Sequence, residues 1–293
     1  MRLPDFIALD HASASICIRR SLAGPGMLDL MANADLLLKR PECVIIKDQR
    51  KIKVGRVPLQ LGDTQAAVYI KRYNSFSLRY RLQSFLFRSG PARSLRGAAI
   101  LTAGGIPTAR PIASIEHRRN GMLHKSFFVS EEIKGGKTAD AYWREVLKQL
   151  PSAAGYRRRR DFLRRLAELF AHLHGRRVYH NDLKDANILV VPDGGAKPEA
   201  LFLLDLDGVR KYTWLSKRRR IKNLVQLNRT FGKHLQRTEL LFWLKCYLPK
   251  IVDRRIRKRW ARDIMRQSDR LDMRKRMPKP RDGTSSPEAA HFF

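Results

Sequence analysis

Between two short apolar runs, residues 178–190 read VYHNDLKDANILV. Val178 and Tyr179 have the character of a short buried strand, and so do Ile188 to Val191. The connection carries His180, Asn181, Asp182, Lys184, Asp185 and Asn187. A polar loop pinned by strands at both ends is where catalytic groups concentrate, because a rigid frame fixes side chains that need not pack. An ordinary polar connection is the competing reading, and only distant parts of the chain can separate the two.

Those parts belong to a chain of 293 residues, enough for one large domain or two lobes. Apolar residues make up 43%, the level of a globular core rather than of a disordered chain. Lys and Arg number 60 against 27 Asp and Glu, and the resulting net charge of +33 predicts an anionic partner. Nucleic acid, an acidic lipid surface and a polyanionic substrate all qualify. Cys17, Cys43 and Cys246 are too few and too dispersed for a metal site or a disulfide framework, which fits a reducing compartment. Asp5, Asp10 and His11 interrupt the N-terminal apolar residues, so no signal peptide is expected. No run is long enough to span a bilayer; LLFWLKCYL at 240–248 is short and contains Lys245. A cytoplasmic protein that can rest on a membrane surface is the simplest inference.

Along the chain, residues 1–40 show no clear pattern and read as an extension. From 41 to 133 short β-rich runs dominate: ECVIIKD, KIKVGRV and AAVYIKRY, then IPTARPIASIE and LHKSFFVSEEI. FSLRYRLQSFLF at 76–87 and ARSLRGAAILTAGG at 92–105 interrupt them as helices. Gly135 and Gly136 make a joint, and residues 134–251 are mainly helical. The run from Tyr156 to Gly175 sets Phe162, Leu163, Leu166, Leu169, Phe170 and Leu173 on one helical face, with Gly175 as its C-terminal signal. A PDGG turn at 192–195, the strand ALFLLDLDGVR and two more helical segments follow. Residues 252–293 form a basic tail whose end, from 278, has a disordered composition.

Phosphoryl transfer needs few protein groups, because catalysis there is mostly positioning and charge neutralisation. A strand Lys, a loop Asp, a loop Asn and a later Asp suffice, and the nucleophile belongs to the acceptor. All four occur here in that order. Lys71 ends the strand-like VYIK; Asp182 and Asn187 complete H-x-D-L-K-x-x-N; and Asp205 closes the apolar run LFLLD. A run ending in Asp205 and Asp207 is notable because buried carboxylates are costly without a cation.

The loop, the LLDLD strand and the helix before them resemble those of protein-kinase-like phosphotransferases. GIPTARPIA at 105–113, DLDGVR at 205–210 and WLSKRRRIKNLVQLNRTF at 214–231 narrow the likeness. Over residues 42–250 the chain resembles the bacterial lipopolysaccharide kinase family, which includes kinases of Kdo and of inner-core heptose. The resemblance implies an α+β, two-lobed protein-kinase-like fold, with a small antiparallel-β N-lobe and a mainly helical C-lobe. It implies ATP and Mg²⁺ as cofactors, with Lys71 on the nucleotide phosphates. Asp182 becomes the catalytic base, Lys184 a cation for the transferred phosphate, and Asn187 and Asp205 the metal ligands. His180 supports the loop through hydrogen bonds. The acceptor is a sugar hydroxyl of the lipopolysaccharide inner core, at the cytoplasmic face of the inner membrane.

The chain departs from the protein-kinase pattern in several places. No Gly-rich loop precedes Lys71, and KDQRKIKVG is the nearest counterpart. No Glu lies between Lys71 and Glu116, so Glu116, Glu131 and Glu132 are the available partners for that lysine. Asn181 replaces the usual Arg after His180, which weakens any case for activation by loop phosphorylation. A kinase acting on another small molecule or a protein, and a degenerate nucleotide- or nucleic-acid-binding scaffold, remain as alternatives. The runs RRRR at 157–160, KRRR at 217–220 and RRIRKR at 254–259 are commonly solvated helix faces. Interleaved with Trp214, Phe242, Trp243 and Trp260, they also resemble a surface for an anionic membrane, with nucleic acid the rival partner. Cys246 with Leu240, Leu241, Leu244 and Leu248 reads as core, and the histidines show no metal-ligand spacing.

Overall fold

A computed structural model of the chain describes residues 4–74, 84–85, 87–192, 199–249 and 251–276. The helix expected at 76–87, the turn at 192–195 and the end of the tail lie largely outside these residues.

The fold mixes helices with antiparallel sheets. Seven strands, β1 (Phe6–His11), β2 (Ala14–Arg19), β3 (Val44–Gln49), β4 (Ile52–Leu61), β5 (Thr64–Asn74), β6 (Pro111–Arg119) and β7 (Met122–Glu131), form one antiparallel sheet in the order β1-β2-β6-β7-β5-β4-β3. The two-residue side-chain period divides it. Ile16, Ile18, Val68, Ile70, Ile115, Phe127 and Val129 are buried beneath α1 (Pro25–Ala32) and α2 (Ala34–Leu37), with Met31 and Leu37. Residues 6–19, where the sequence offers no clear pattern, thus complete the sheet. Their alternation, Ala14, Ile16 and Ile18 inward, spans too few residues to stand out.

On the other face lies α3 (Gly90–Ala103). Ser89 caps it, accepting a hydrogen bond from the Ala92 amide at 3.2 Å, which satisfies one orphan donor of the first turn. Gly97 lets this helix approach the chain at 205–208: a Cβ there would meet the Leu206 carbonyl oxygen, so only Gly fits. The strand expected from Ile106 begins only at Pro111. Residues 107–108 bond Leu203 instead: the Leu203 amide donates to Pro107 O, and Thr108 Oγ1 donates to Leu203 O.

The C-terminal half begins with β8 (Lys137–Thr138), α4 (Ala139–Glu145) and the long α5 (Ser152–Gly175). Phe162, Leu163, Leu166, Leu169, Phe170 and Leu173 are all buried, as the helical periodicity requires. Each contributes roughly 1.5–3 kcal/mol of apolar transfer. The helix runs through Gly175, and the residue that turns left-handed beyond it is Arg177, at φ 60°. Next come β9 (Val178–His180), β10 (Ile188–Val191), β11 (Ala200–Leu203) and β12 (Val209–Lys211), in which β10 pairs with β11 and β9 with β12. Among the described residues three α-helices follow: α6 (Lys217–Thr230), α7 (Arg237–Tyr247) and α8 (Arg254–Arg276).

The last of these lies within the basic tail expected at 252–293. Through residue 276 the segment is a helix, anchored by Trp260, Ile264 and Ser268, all buried. Trp243 stacks on Tyr247, and Tyr247 meets Trp260. Trp243 and Trp260 are therefore core, not part of an aromatic membrane surface; Trp214 is exposed, and Phe242 lies under the Arg160 guanidinium at 3.9 Å. Of the leucines read as core, Leu244 and Leu248 are buried but Leu241 is exposed.

Candidate active site

Strand β5 turns Val68 and Ile70 into the core beneath α1 and α2, so Lys71 and Tyr73 share the opposite face. There Lys71 Nζ donates to Asp205 Oδ1 at 2.6 Å and sits 5.0 Å from the centre of the Tyr73 ring. Burial works against the ammonium charge, yet Tyr73 and the Asp205 carboxylate outweigh it and hold Lys71 protonated, above the usual lysine range.

Strand β11 ends at Leu203, and the chain reverses through Asp205, which is left-handed at φ 57°, ψ 64°. Asp is among the few residues that tolerate this region, and such backbone strain gathers at functional sites. The turn parts the two carboxylates. Burial raises the Asp205 pKa, but Lys71 overcomes that and holds it below the ordinary range. Asp207 is raised, with burial the main cause; Arg93 of α3 lies 3.8 Å from its Oδ2.

The loop after β9 supplies the remaining groups. Asp182 Oδ2 accepts from Lys184 Nζ at 2.7 Å and from Asn187 Nδ2 at 3.1 Å, and Asn187 also donates to the Asp182 carbonyl at 2.7 Å. Two bonds join this cluster to Asp205. The Leu204 amide donates to Asn187 O at 2.9 Å, and His180 Nε2 donates to Leu204 O at 2.8 Å. His180 Nδ1 accepts from the Asp182 amide at 3.2 Å, which fixes the neutral tautomer; burial lowers its pKa further. The five predicted residues thus form two groups, Lys71 with Asp205 and Asp182 with Lys184 and Asn187, tied through His180 and Leu204.

Helix α6 holds the loop from beneath, a role the sequence reading missed. Asn223 Nδ2 donates to His180 O at 2.5 Å, Gln226 Nε2 donates to Asn181 O, and Thr230 Oγ1 accepts from the Asp185 amide at 3.3 Å. Behind them buried His174 donates through Nε2 to Asn223 Oδ1 and accepts through Nδ1 from Tyr247. Burial drops its pKa to about 4, so it stays neutral. Polar residues at 223, 226 and 230, at helical spacing on an apolar face, are the signal that points to this clamp.

None of the three glutamates considered as partners of Lys71 reaches it. Glu116 bonds Ser89 and Arg118, Glu131 bonds Arg19, and Glu132 bonds Arg56 bidentately. In the stretch KDQRKIKVG, Gly55 serves packing, closely faced by Leu38 and Cys43. Away from the loop's reactive face, the ligand atoms of Asp140, Asp185 and His234 lie within 4.8 Å of one another, a grouping that no sequence spacing announces. Of the charge runs, Arg158 joins Arg165, further along α5, on buried Glu199, and Arg219 stacks over Tyr212. No helix among the described residues is long and apolar enough to cross a membrane.

Asn187 Oδ1 and Asp205 Oδ2 have no protein partner among the described residues, which leaves two oxygen donors for a hard cation. No curated protein matches the sequence significantly. Among solved structures, 1187 chains match, so widespread a fold that it carries no activity by itself. One of them, described as WaaP in complex with acyl carrier protein, superposes with a TM-score of 0.60 at 19% identity. The alignment covers 82% of this chain and 92% of that one. The sequence model of the Lipopolysaccharide kinase (Kdo/WaaP) family matches residues 69–243, from the strand bearing Lys71 to the helix after the clamp. With more than half of its length inside that match, and with Lys71, the loop and the Asp205 turn all within it, the chain belongs to the lipopolysaccharide kinase (Kdo/WaaP) family.

Proposed function

We propose that the protein transfers the γ-phosphoryl group of ATP to a sugar hydroxyl, of Kdo or of heptose, in the lipopolysaccharide inner core. The observation that carries this reading is the Lys71–Asp205 contact, tied through Leu204 to the Asp182–Lys184–Asn187 cluster. In this reading the sheet and the helical half are the two lobes of a kinase-like fold, with the nucleotide between them. Lys71 binds the nucleotide phosphates. Asp182 Oδ2 is engaged by Lys184 and Asn187, so Oδ1 accepts the hydroxyl proton of the acceptor. Lys184 offsets charge developing on the transferred group. Asp205 and Asn187 fit Mg²⁺, having oxygen donors and a net negative charge. Bound there, the ion neutralises charge on the phosphates.

The reaction runs at the cytoplasmic face of the inner membrane, where a glycolipid acceptor and a chain of net charge +33 attract each other. An acyl carrier protein is a further partner in this reading, because the WaaP structure contains one. A groove of about 980 Å³ suits it, floored by Leu227, Phe231 and Leu240 and rimmed by Arg254, Arg257 and Arg262. The test is acceptor profiling with labelled ATP and Mg²⁺ across dephosphorylated lipopolysaccharide core, free sugars and a protein mixture. Label confined to the core supports the proposal; label on free sugar or protein, with none on the core, contradicts it.

A further inference from the structure

We propose that a pocket beside the Asp205–Gly208 turn, outside the groups assigned above, binds a phosphate monoester or free phosphate. The pocket has a volume of about 660 Å³, and its walls include Arg88, Ser89, Arg93, Tyr179, Asn181 and Arg210. Three arginines from three elements therefore line it: Arg88 of the segment before α3, Arg93 in the first turns of α3, and Arg210 of β12. Among the described lining residues Asp207 supplies the one carboxylate, so positive charge is left over.

The hydrogen bonding of these residues leaves capacity for a ligand. Arg210 spends Nη1 on the carbonyls of Asp207 and Val209, at 2.8 Å each, which fixes its plane and frees the rest of the fork. Arg93 donates through Nη1 to Arg88 O and holds Asp207 with Nη2. The Arg88 side chain, which is exposed, has no protein acceptor among the described residues. Tyr179 is 6% exposed, and its buried hydroxyl likewise has no hydrogen-bond partner there. A buried hydroxyl without a partner is rare in a native fold and points to a missing acceptor. Arginine forks with a phenolic donor match the oxygens of a phosphate dianion, which accepts several charge-assisted bonds at once. A neutral sugar alone would leave the guanidinium charges uncompensated.

The ligand would bridge Arg93 of α3 to Arg210 of β12 across the turn that carries Asp205. The phosphate can come from the acceptor glycolipid or be free in solution, and only the former rests on the proposed function. The binding test needs no turnover, so its failure is separate from the failure of that function. Inorganic phosphate is titrated calorimetrically into the full chain, saturated with a non-hydrolysable ATP analogue, at constant ionic strength. We expect one saturable site, weakened about tenfold or more in Arg88→Gln/Arg210→Gln, with analogue affinity kept within about twofold. If the double variant does not fold, Arg88→Gln alone, at an exposed side chain without a partner, is expected to weaken binding about threefold. No saturable phosphate site in the parent, or equal affinity in folded variants, overturns the proposal. For the source, KM of the double variant is compared on phosphorylated and dephosphorylated core. A KM raised about tenfold on the phosphorylated core alone assigns the site to the acceptor. A response to added phosphate equal on both cores, and lost in the variant, assigns it to free phosphate.

Discussion

Lys71 and Asp205, separated by 134 positions in sequence, meet at 2.6 Å where a strand of the sheet faces the turn after β11. The pair orders a lysine that none of Glu116, Glu131 and Glu132 reaches. Lys71→Met leaves Asp205 without its countercharge and, under the proposed function, the phosphates without their cation. The expected loss is about 10²–10³ in kcat/KM for ATP. Steady-state kinetics on a variant that keeps the parent's circular dichroism spectrum check this; a loss below about threefold contradicts it.

The clamp under the loop predicts a change in rate without loss of nucleotide binding. Asn223 is fully buried and bonds His180 O, Gln226 and His174. Asn223→Ala strands those groups, at a cost of about 2–4 kcal/mol of stability, and frees the loop that carries Asp182. Urea unfolding measures the first effect. The second is a kcat reduced about tenfold or more with nucleotide affinity nearly unchanged.

Gly97 gives a purely steric prediction. Its Cα faces the Leu206 carbonyl so closely that a Cβ cannot fit without displacing helix α3 or the turn. Gly97→Ala is expected to lower stability by about 1–3 kcal/mol, despite the better helix propensity of Ala, and to reduce turnover. A stabilised, fully active variant removes the claim that α3 sets the turn.

Stability is expected to fall on acidification through the window of His174. Its folded pKa, about 4, lies below the ordinary histidine value of 6.5, because burial disfavours the charged form. The unfolded chain therefore binds more protons than the folded one between those limits, so stability is present above about pH 6.5 and declines as pH falls toward 4. The full decline from this group is about 3 kcal/mol. Midpoints of chemical unfolding at pH 7 and pH 5 test it, with His174→Gln predicted to show a shallower slope.

How much of this could be read from sequence depended on whether the signal was local. The loop with Asp182 and Asn187, the strand ending near Asp205 and the apolar face of α5 are consecutive patterns, with spacing set by one element each. Lys71 was legible for the same reason. Its partner was not, because Asp205 reaches it only through the turn, the Gly97 contact and sheet register together. The strands at residues 6–19 carry no legible signal because each is only six residues long and shows little alternation. Trp243 and Trp260, interleaved with basic runs, suggested a surface but pack against Tyr247. Arg93, too, is one arginine among many until the fold brings it to Asp207.

Whether Asp182 serves phosphoryl transfer to the inner core is tested most directly by incorporation of γ-³²P-labelled ATP phosphate into dephosphorylated lipopolysaccharide core. Incorporation by the parent chain is expected, reduced about 10³-fold or more in a folded Asp182→Ala variant that still binds nucleotide. Equal incorporation by the two, or none by a parent that binds ATP, contradicts it.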